Sequence, residues 1–431
     1  MALEEDIVSL LRRRGVLSSG ELLRALDISA PTLSRQVRGG ADRILRMGRT
    51  RGARYATYRN VVGIPSSRLP VYRVDAEGAS SRVATLHLLA LGQHWLEVEA
   101  GPDSFFSGLP PVVVDMAPQG FLGRRFSETH ADLALPRRLQ DWNDDHRLIA
   151  IARRGEDCIG DLIFGDESLN RFLENTPTTI SHREYPAHAR GAVEGGTGSS
   201  AGGERPKFTA QVDMRQLIVK FTVGDGSPTD QRWHDLLVCE LLALEILNEH
   251  GIPAARAQIV DVDTQRFLEM ERFDRIGERG RCGVITAGPL DDDLYGQRDN
   301  WPAFAERVAK DGLLAKEEAR RIRLFDAFGQ LIGNTDRHFG NLSFFADGLS
   351  RKPVMRLAPV YDMVPMAWSP DNNVVPPLEL PIARVRANTL DVWEEATRLA
   401  QEFWRRVADD ARLGAGFRAA AKVVTDKLNK V

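Results

Sequence analysis

Cysteine is scarce in this chain: Cys158, Cys239 and Cys282 stand alone among 431 residues, with no Cys-x-x-Cys pair. That argues against a disulfide scaffold and a structural zinc site, and it fits a reducing cytoplasm. Long apolar runs are also missing. The most apolar stretch, Leu236 to Leu247, is broken by Glu240 and Glu245, so no membrane span is expected. A basic leader is missing too. The chain opens Met1-Ala2-Leu3-Glu4-Glu5-Asp6, acidic where a secretory signal would be basic. Lysine is absent from residues 1–60, which hold 12 Arg against 6 acids. That end is near +6 in a chain whose net charge is −3, so the rest is near −9. A basic end on an acidic body points to nucleic acid at one end, and a cytoplasmic, nucleoid-associated location is expected. With 43% hydrophobic residues the core can be large, and the length suits two or three domains.

Residues 1–60 read as a winged helix-turn-helix. Ile7, Val8, Leu10 and Leu11 recur at helical spacing. Ser18 and Glu21 form a capping box ahead of Leu22, Leu23 and Leu26. Pro31 opens a third helix, where Leu33 and Val37 face inward and Thr32, Ser34, Arg35 and Arg38 face out. Ile44 to Tyr55 reads as a hairpin with a basic tip. In such a module the third helix enters the major groove, and Arg49, Arg51 and Arg54 would meet phosphates or the minor groove. Double-stranded DNA is therefore an expected partner. A small helical docking domain would show the same pattern with a merely solvated basic face.

Residues 61–150 offer short strand-like runs, Leu96 to Glu99 and Pro111 to Val114, between Gly, Pro and Asp turns. They predict a small β-rich domain without chemistry of its own. His87, His94, His130 and His146 lack metal-ligand spacing.

Residues 191–203 hold six glycines. This is the composition of a flexible linker, and also of a loop whose bare backbone covers phosphates. Candidate strands follow at Pro206 to Val212 and Gln216 to Phe221, the second with Lys220 inside an apolar run. A buried lysine needs a partner. Glu240 supplies one, on a helix predicted from Trp233 to Gly251. Phe267 to Arg275 reads as the last strand of this lobe.

A helix predicted over Ala315 to Ile332 ends at Gly333 and delivers the chain into Asn334-Thr335-Asp336-Arg337-His338-Phe339-Gly340-Asn341. An Asp and an Asn five apart is the spacing of a protein-kinase catalytic loop. There the Asp accepts a hydroxyl proton and the Asn holds magnesium. Asp362, in Tyr361-Asp362-Met363, supplies the carboxylate that the main magnesium needs. In isolation Asp-x-His-x-x-Asn is equally a turn. With Lys220, Glu240 and Asp362 in kinase order, it points to a site for ATP and Mg2+.

These motifs resemble the HipA family of bacterial serine/threonine kinases. The most specific pieces are Ile332 to His338, Glu271-Arg272-Phe273-Asp274-Arg275 and Tyr361-Asp362-Met363, with Gly108-Leu109-Pro110-Pro111 ahead of Asp115. The resemblance runs from about residue 65 to the C-terminus, and the fused N-terminal segment is most similar to a YjjJ-like subgroup. It implies an α+β, bilobal, protein-kinase-like fold behind the winged helix-turn-helix. The expected domains are 1–60, 61–150, 151–275 (small lobe) and 276–431 (large lobe). By resemblance, Asp336 is the proton acceptor, Asn341 and Asp362 hold magnesium, and Lys220 binds phosphates. Ala201, Gly202, Gly203 and Lys207 lie over the nucleotide, Glu271, Arg272 and Phe273 meet adenine, and His338 and Tyr361 complete the nucleotide set. Ser199, or its neighbour Ser200, is the serine whose autophosphorylation shuts the enzyme off. The usual Gly-Ala-Gln of the loop is here Gly202-Gly203-Glu204.

The function expected is phosphorylation of a protein Ser/Thr hydroxyl, with an antitoxin and a homodimer among the candidate partners. Two rival readings remain: a DNA-binding regulator whose kinase lobe only senses ATP, and a metal-dependent toxin that processes DNA.

Overall fold

The computed structural model describes residues 2–48, 52–176, 178–193, 205–371, 374–381 and 383–430. The chain begins with helix α1 (Ala2–Arg14), strand β1 (Leu17–Ser18), helices α2 (Ser19–Leu26) and α3 (Ala30–Gly39), and strands β2 (Ile44–Met47) and β3 (Arg54–Thr57). The capping box is present: Ser18 N–H donates to Glu21 Oε2 at 2.7 Å, and Glu21 N–H donates to Ser18 Oγ at 3.3 Å. Ser29 caps α3, and Pro31 sits in its first turn. Ile7, Val8, Leu11, Leu22, Leu33, Ile44 and Tyr55 share one small core under an antiparallel sheet of order β1-β3-β2. The three helices and the following hairpin of β2 and β3 that the sequence predicts are thus present. Ser34, Arg35, Arg38 and Arg54 are exposed and Thr32 is half-buried, whereas Arg49 and Arg51 lie outside the described residues.

This unit is seated on the next one. Gln93 Oε1 accepts from Val16 N–H at 3.1 Å, and Arg68 donates to the Ala41 carbonyl at 2.6 Å. Met47 and Ala56 pack with Leu89.

The middle unit holds β4 (Arg68–Val74), β5 (Ser80–Leu88), β6 (His94–Val98) and β7 (Ser104–Phe106). Helices α4 (Pro111–Met116), α5 (Gly120–Arg124), α6 (Phe126–Thr129) and α7 (Asp144–Arg154) follow, then β8 (Leu162–Phe164) and α8 (Asp166–Glu174). Two expectations are corrected here. Pro111 to Val114 is the start of a helix, not a strand. Pro111 fits the first turn, and Val113 and Val114 donate to the Pro110 carbonyl, so burial overrides the strand propensity of valine. The boundary expected at residue 150 falls later, because β8 pairs with β4 and completes a sheet of order β7-β6-β5-β4-β8. A three-residue strand buried throughout has no alternation to betray it.

The small lobe comprises α9 (Tyr185–Val193), β9 (Lys207–Val212), β10 (Arg215–Phe221), α10 (Pro228–Glu249), β11 (Ala257–Val262) and β12 (Gln265–Glu271). Its sheet is antiparallel, in the order β11-β12-β10-β9. Residues alternate across it. Phe208, Leu217, Val219, Phe221 and Phe267 form an apolar cluster with Tyr185 and Ala189 of α9 on one face, while the in-between residues face the cleft. Helix α10 starts earlier than its periodicity predicts, because Ser227 caps it and Pro228 opens it.

The short strands β13 (Arg275–Ile276), β14 (Gly280–Arg281) and β15 (Val284–Thr286) lead into the large lobe. There α11 (Ala287–Leu294), α12 (Trp301–Lys310) and α13 (Lys316–Leu331) precede β16 (Ser343–Phe345) and β17 (Arg356–Leu357), and α14 (Trp393–Asp409) and α15 (Ala415–Leu428) close the chain. Trp301, Phe325, Trp368 and Trp404 sit in its core, which is continuous with Leu86 and Leu162 of the middle unit. Gly333 ends α13 with φ 77°, a conformation that favours glycine. Among the described residues, no helix is long and apolar enough to cross a membrane.

Candidate active site

Lys220 is the hub of the site. It lies on β10, an interior strand, and is 5% exposed. An exposed edge-strand lysine is therefore excluded. Its Nζ donates to Glu240 Oε1 of α10 at 2.6 Å and also to Asp362 Oδ1. Glu240 is 1% exposed. Burial pulls the Lys220 pKa down, but Asp362 and Glu240 more than reverse it and hold the ammonium charged. The two carboxylates diverge. Burial dominates at Glu240 and raises its pKa despite Lys220. At Asp362 burial is overcome by Lys220 and Lys207, which hold the carboxyl below its usual range. Asp362 is thus the more acidic of the two carboxyls.

Asp362 has φ 55°, a left-handed conformation rare for a residue with a side chain. Asn334 supports it. The Asn334 amide donates to the Asp362 carbonyl at 3.0 Å, and its Oδ1 accepts the Asp336 N–H at 2.9 Å. Asn341 closes the same loop by donating to the Asp336 carbonyl at 2.9 Å. That bond occupies the Asn341 amide nitrogen and leaves its oxygen for a hard cation. The Asp336 side chain is 53% exposed, at the mouth of the cleft, 3.8 Å from His338 Nε2. His338 is itself fixed, its carbonyl taking Trp301 Nε1–H at 3.0 Å and its Nδ1 taking the Gly340 N–H at 3.0 Å.

Tyr361 ties the floor together. Its hydroxyl donates to the Gly340 carbonyl and meets Ser343 Oγ, each at 2.7 Å. Its ring lies 5.7 Å from that of Phe273. Arg272 is neutralised by Asp157 at 2.8 Å and Asp274 at 3.1 Å, so it braces the segment between the lobes rather than offering a spare cation.

One cavity of about 780 Å³ is lined by Lys207, Lys220, Glu240, Glu271, Arg272, Phe273, Asp336, His338, Asn341, Tyr361 and Asp362 together. Ser199, Ser200, Ala201, Gly202 and Gly203 lie outside the described residues. Sequence reasoning missed three contributors. Asn334 follows a helix-ending glycine and reads as a turn residue. Arg205 lies in the segment where the loop departs from its usual pattern. The middle unit, expected to carry no chemistry, lends Asp115 and Gly120 to Gly123 to the cavity wall. Asp115 accepts from Thr286 N–H at 2.8 Å and Oγ1–H at 2.5 Å, and burial raises its pKa to about 6.

Residues 199–429 match the family model of the HipA-like C-terminal domain, and residues 65–173 match that of the YjjJ-like toxin, middle domain. The first model alone covers more than half of the chain. The chain belongs to the HipA family of toxins. Within that family it is 33% identical to the toxin YjjJ of Escherichia coli (strain K12) over 97% of this chain and 96% of the relative. The HipA fold is also found by structure. HipA of Shewanella oneidensis MR-1, solved with HipB and its operator DNA, superposes with a TM-score of 0.53 at 15% identity, covering 84% of this chain and 97% of that one. A looser overlap with CtkA, a proinflammatory kinase of Helicobacter pylori, has a TM-score of 0.36 at 14% identity over 55% of this chain and 91% of that one, and no conclusion rests on it.

Proposed function

We propose that this HipA-family chain is an ATP- and magnesium-dependent protein serine/threonine kinase that also binds double-stranded DNA through residues 1–60. The observation that carries the reading is the meeting of Lys220, Glu240, Asp336, Asn341 and Asp362 around a single cavity. They come from a strand, a helix and two loops widely separated in sequence.

Asp336 takes the proton of the incoming hydroxyl as its oxygen bonds to the terminal phosphorus and the bond to the ADP oxygen breaks. Asn341 and Asp362 would hold magnesium. Among the described residues no group of three or more His, Cys, Asp or Glu is placed to hold a metal. Two protein oxygens nonetheless fit magnesium, which takes few protein ligands and keeps phosphate and water oxygens. When bound, it supplies positive charge to the phosphates. Lys220, kept charged by its two carboxylates, adds to that charge and is fixed in advance, which is how electrostatic stabilisation becomes effective. Ser199 or Ser200 remains the proposed autophosphorylation position, on family resemblance.

DNA binding is supported by Arg35 and Arg38 on the outer face of α3 and by Arg54 on β3, all exposed. The HipA relative, crystallised with a separate HipB and operator DNA, adds weight to a DNA-linked role and to an antitoxin partner. Such a protein would work in the cytoplasm on the nucleoid.

One assay tests the reading: pure protein, labelled ATP, magnesium and supercoiled plasmid, followed for label transfer and for nicking. Label on protein with intact plasmid is the expected result. Nicking without ATP, or no label at any magnesium concentration, rejects it.

A further inference from the structure

The cavity wall beside the small-lobe sheet carries two cations, Arg205 and Lys207, besides the Lys220 that Glu240 and Asp362 hold. Lys207 and Thr209 of β9, and Ile218 and Lys220 of β10, line the cleft, while Phe208, Leu217, Val219 and Phe221 point into the apolar cluster behind. Arg205 is two residues ahead of Lys207, so in extended chain it shares the cleft face. The extended pairing runs up to its neighbour: Lys220 stands opposite Lys207, and the Pro206 carbonyl then accepts from Phe221 N–H at 3.2 Å. Lys220 has Glu240 and Asp362. Arg205 and Lys207 have no ion-pair partner among the described residues.

Arg205 is held firmly for a group without a counter-ion. Its guanidinium lies 3.9 Å from the ring centroid of Trp233, and Nη2 donates to the Phe221 carbonyl at 2.5 Å. Its Nε is shielded from solvent without a hydrogen-bond partner. Burial lowers its pKa to about 9, and Asp230 and Glu240 only partly oppose this. A cation in that setting is stabilised by an anion arriving beside it.

The sheet register says which part of an anionic ligand arrives there. Along β10, Leu217 stands opposite Glu271, at the segment that joins the lobes, and Lys220 stands opposite Leu268. Leu217 and Lys220 are thus roughly 10 Å apart. Arg205 lies beyond Lys220 in the same direction. A nucleotide with its base against Glu271 to Phe273 and its inner phosphates at Lys220 and Lys207 runs out toward Arg205. We propose that Arg205 binds the terminal phosphate of a nucleoside triphosphate and so distinguishes the triphosphate from the diphosphate. This rests on the nucleotide reading of the cleft given above and extends it to a residue which that reading leaves unused.

The test is calorimetric titration of ATP and of ADP, each with magnesium, into the full chain and its Arg205→Met and Arg205→Lys variants, with thermal unfolding alongside. Arg205→Met is expected to weaken ATP by about tenfold or more and ADP by no more than about twofold, as the loss of a hydrogen bond to a charged group implies. Arg205→Lys keeps the charge without the fork and is expected to fall between. Equal weakening of both nucleotides, or a lower Tm with the ATP-to-ADP ratio intact, overturns the assignment and leaves Arg205 as a strut on Trp233. Should Arg205→Met not fold, the Arg205→Lys ratio decides in the same way. Absence of binding by the unaltered chain would instead reject the nucleotide reading itself, and this inference with it.

Discussion

Asn334 holds Asp362 by its backbone: the side-chain amide of the first donates to the carbonyl of the second at 3.0 Å. The oxygen of the same amide takes the Asp336 N–H. One buried side chain thereby fixes the spacing of the two acids on which the proposed phosphoryl transfer would depend. Asn334→Ala strands a buried carbonyl and N–H, which costs about 1–3 kcal/mol in stability. A shift of about 1 Å at a reacting group is enough for roughly a hundredfold loss in rate. The expected outcome is a modest fall in Tm with a large fall in kcat, read by denaturation and by initial rates. An unchanged kcat would mean that the clamp is not needed.

Lys220 sits between two carboxylates, so removing it alone is worse than removing it together with one of them. Lys220→Met leaves Glu240 and Asp362 facing each other without a cation. A loss of about 3–5 kcal/mol is expected, as for any broken buried ion pair. Lys220→Met with Glu240→Leu in one chain should recover part of this, because an apolar pair tolerates burial. Strictly additive losses in a double-mutant cycle would argue against direct coupling.

Asp115 makes stability depend on pH in an unusual direction. Its pKa is raised by burial from an ordinary 3.8 to about 6. A raised value means that the folded state binds the proton more tightly, so the contribution is complete below the unfolded pKa and is lost as pH climbs through the folded one. Between pH 4 and 6 this chain should lose about 2 kcal/mol relative to Asp115→Asn. Urea unfolding of both proteins across that range measures it. A gap that stays constant with pH would contradict the account.

Arg35 and Arg38 are exposed on one face of α3. If they meet phosphates, each Ala substitution should weaken binding to all duplex sequences and flatten the log–log salt dependence by about one unit. Fluorescence anisotropy at several salt concentrations provides the slopes. Identical slopes in the substituted and unaltered proteins would place the DNA contacts elsewhere.

The polar skeleton of the site is legible in the sequence because each part carries its own local signal. Lys220 interrupts an apolar strand, Glu240 interrupts an apolar helix, and Asp336 and Asn341 follow a helix-ending glycine at a fixed interval. The order of helices at the N-terminal end is legible for a similar reason, since Ser18, Glu21 and Pro31 mark where helices begin. Other parts carry no local signal. Strand β8 is three residues long and buried throughout. Helix α4 is rich in valine, whose strand preference yields to a proline start and to burial. The role of Asn334 depends on the carbonyl of Asp362, 28 positions away, and no window of sequence contains both.

The most direct test compares the unaltered chain with Asp336→Ala in a single-turnover reaction with labelled ATP and magnesium, with ATP affinity measured on the same samples. The account predicts that both proteins bind ATP with similar affinity and that only the unaltered chain transfers label to protein. Equal label transfer by the two proteins would contradict it.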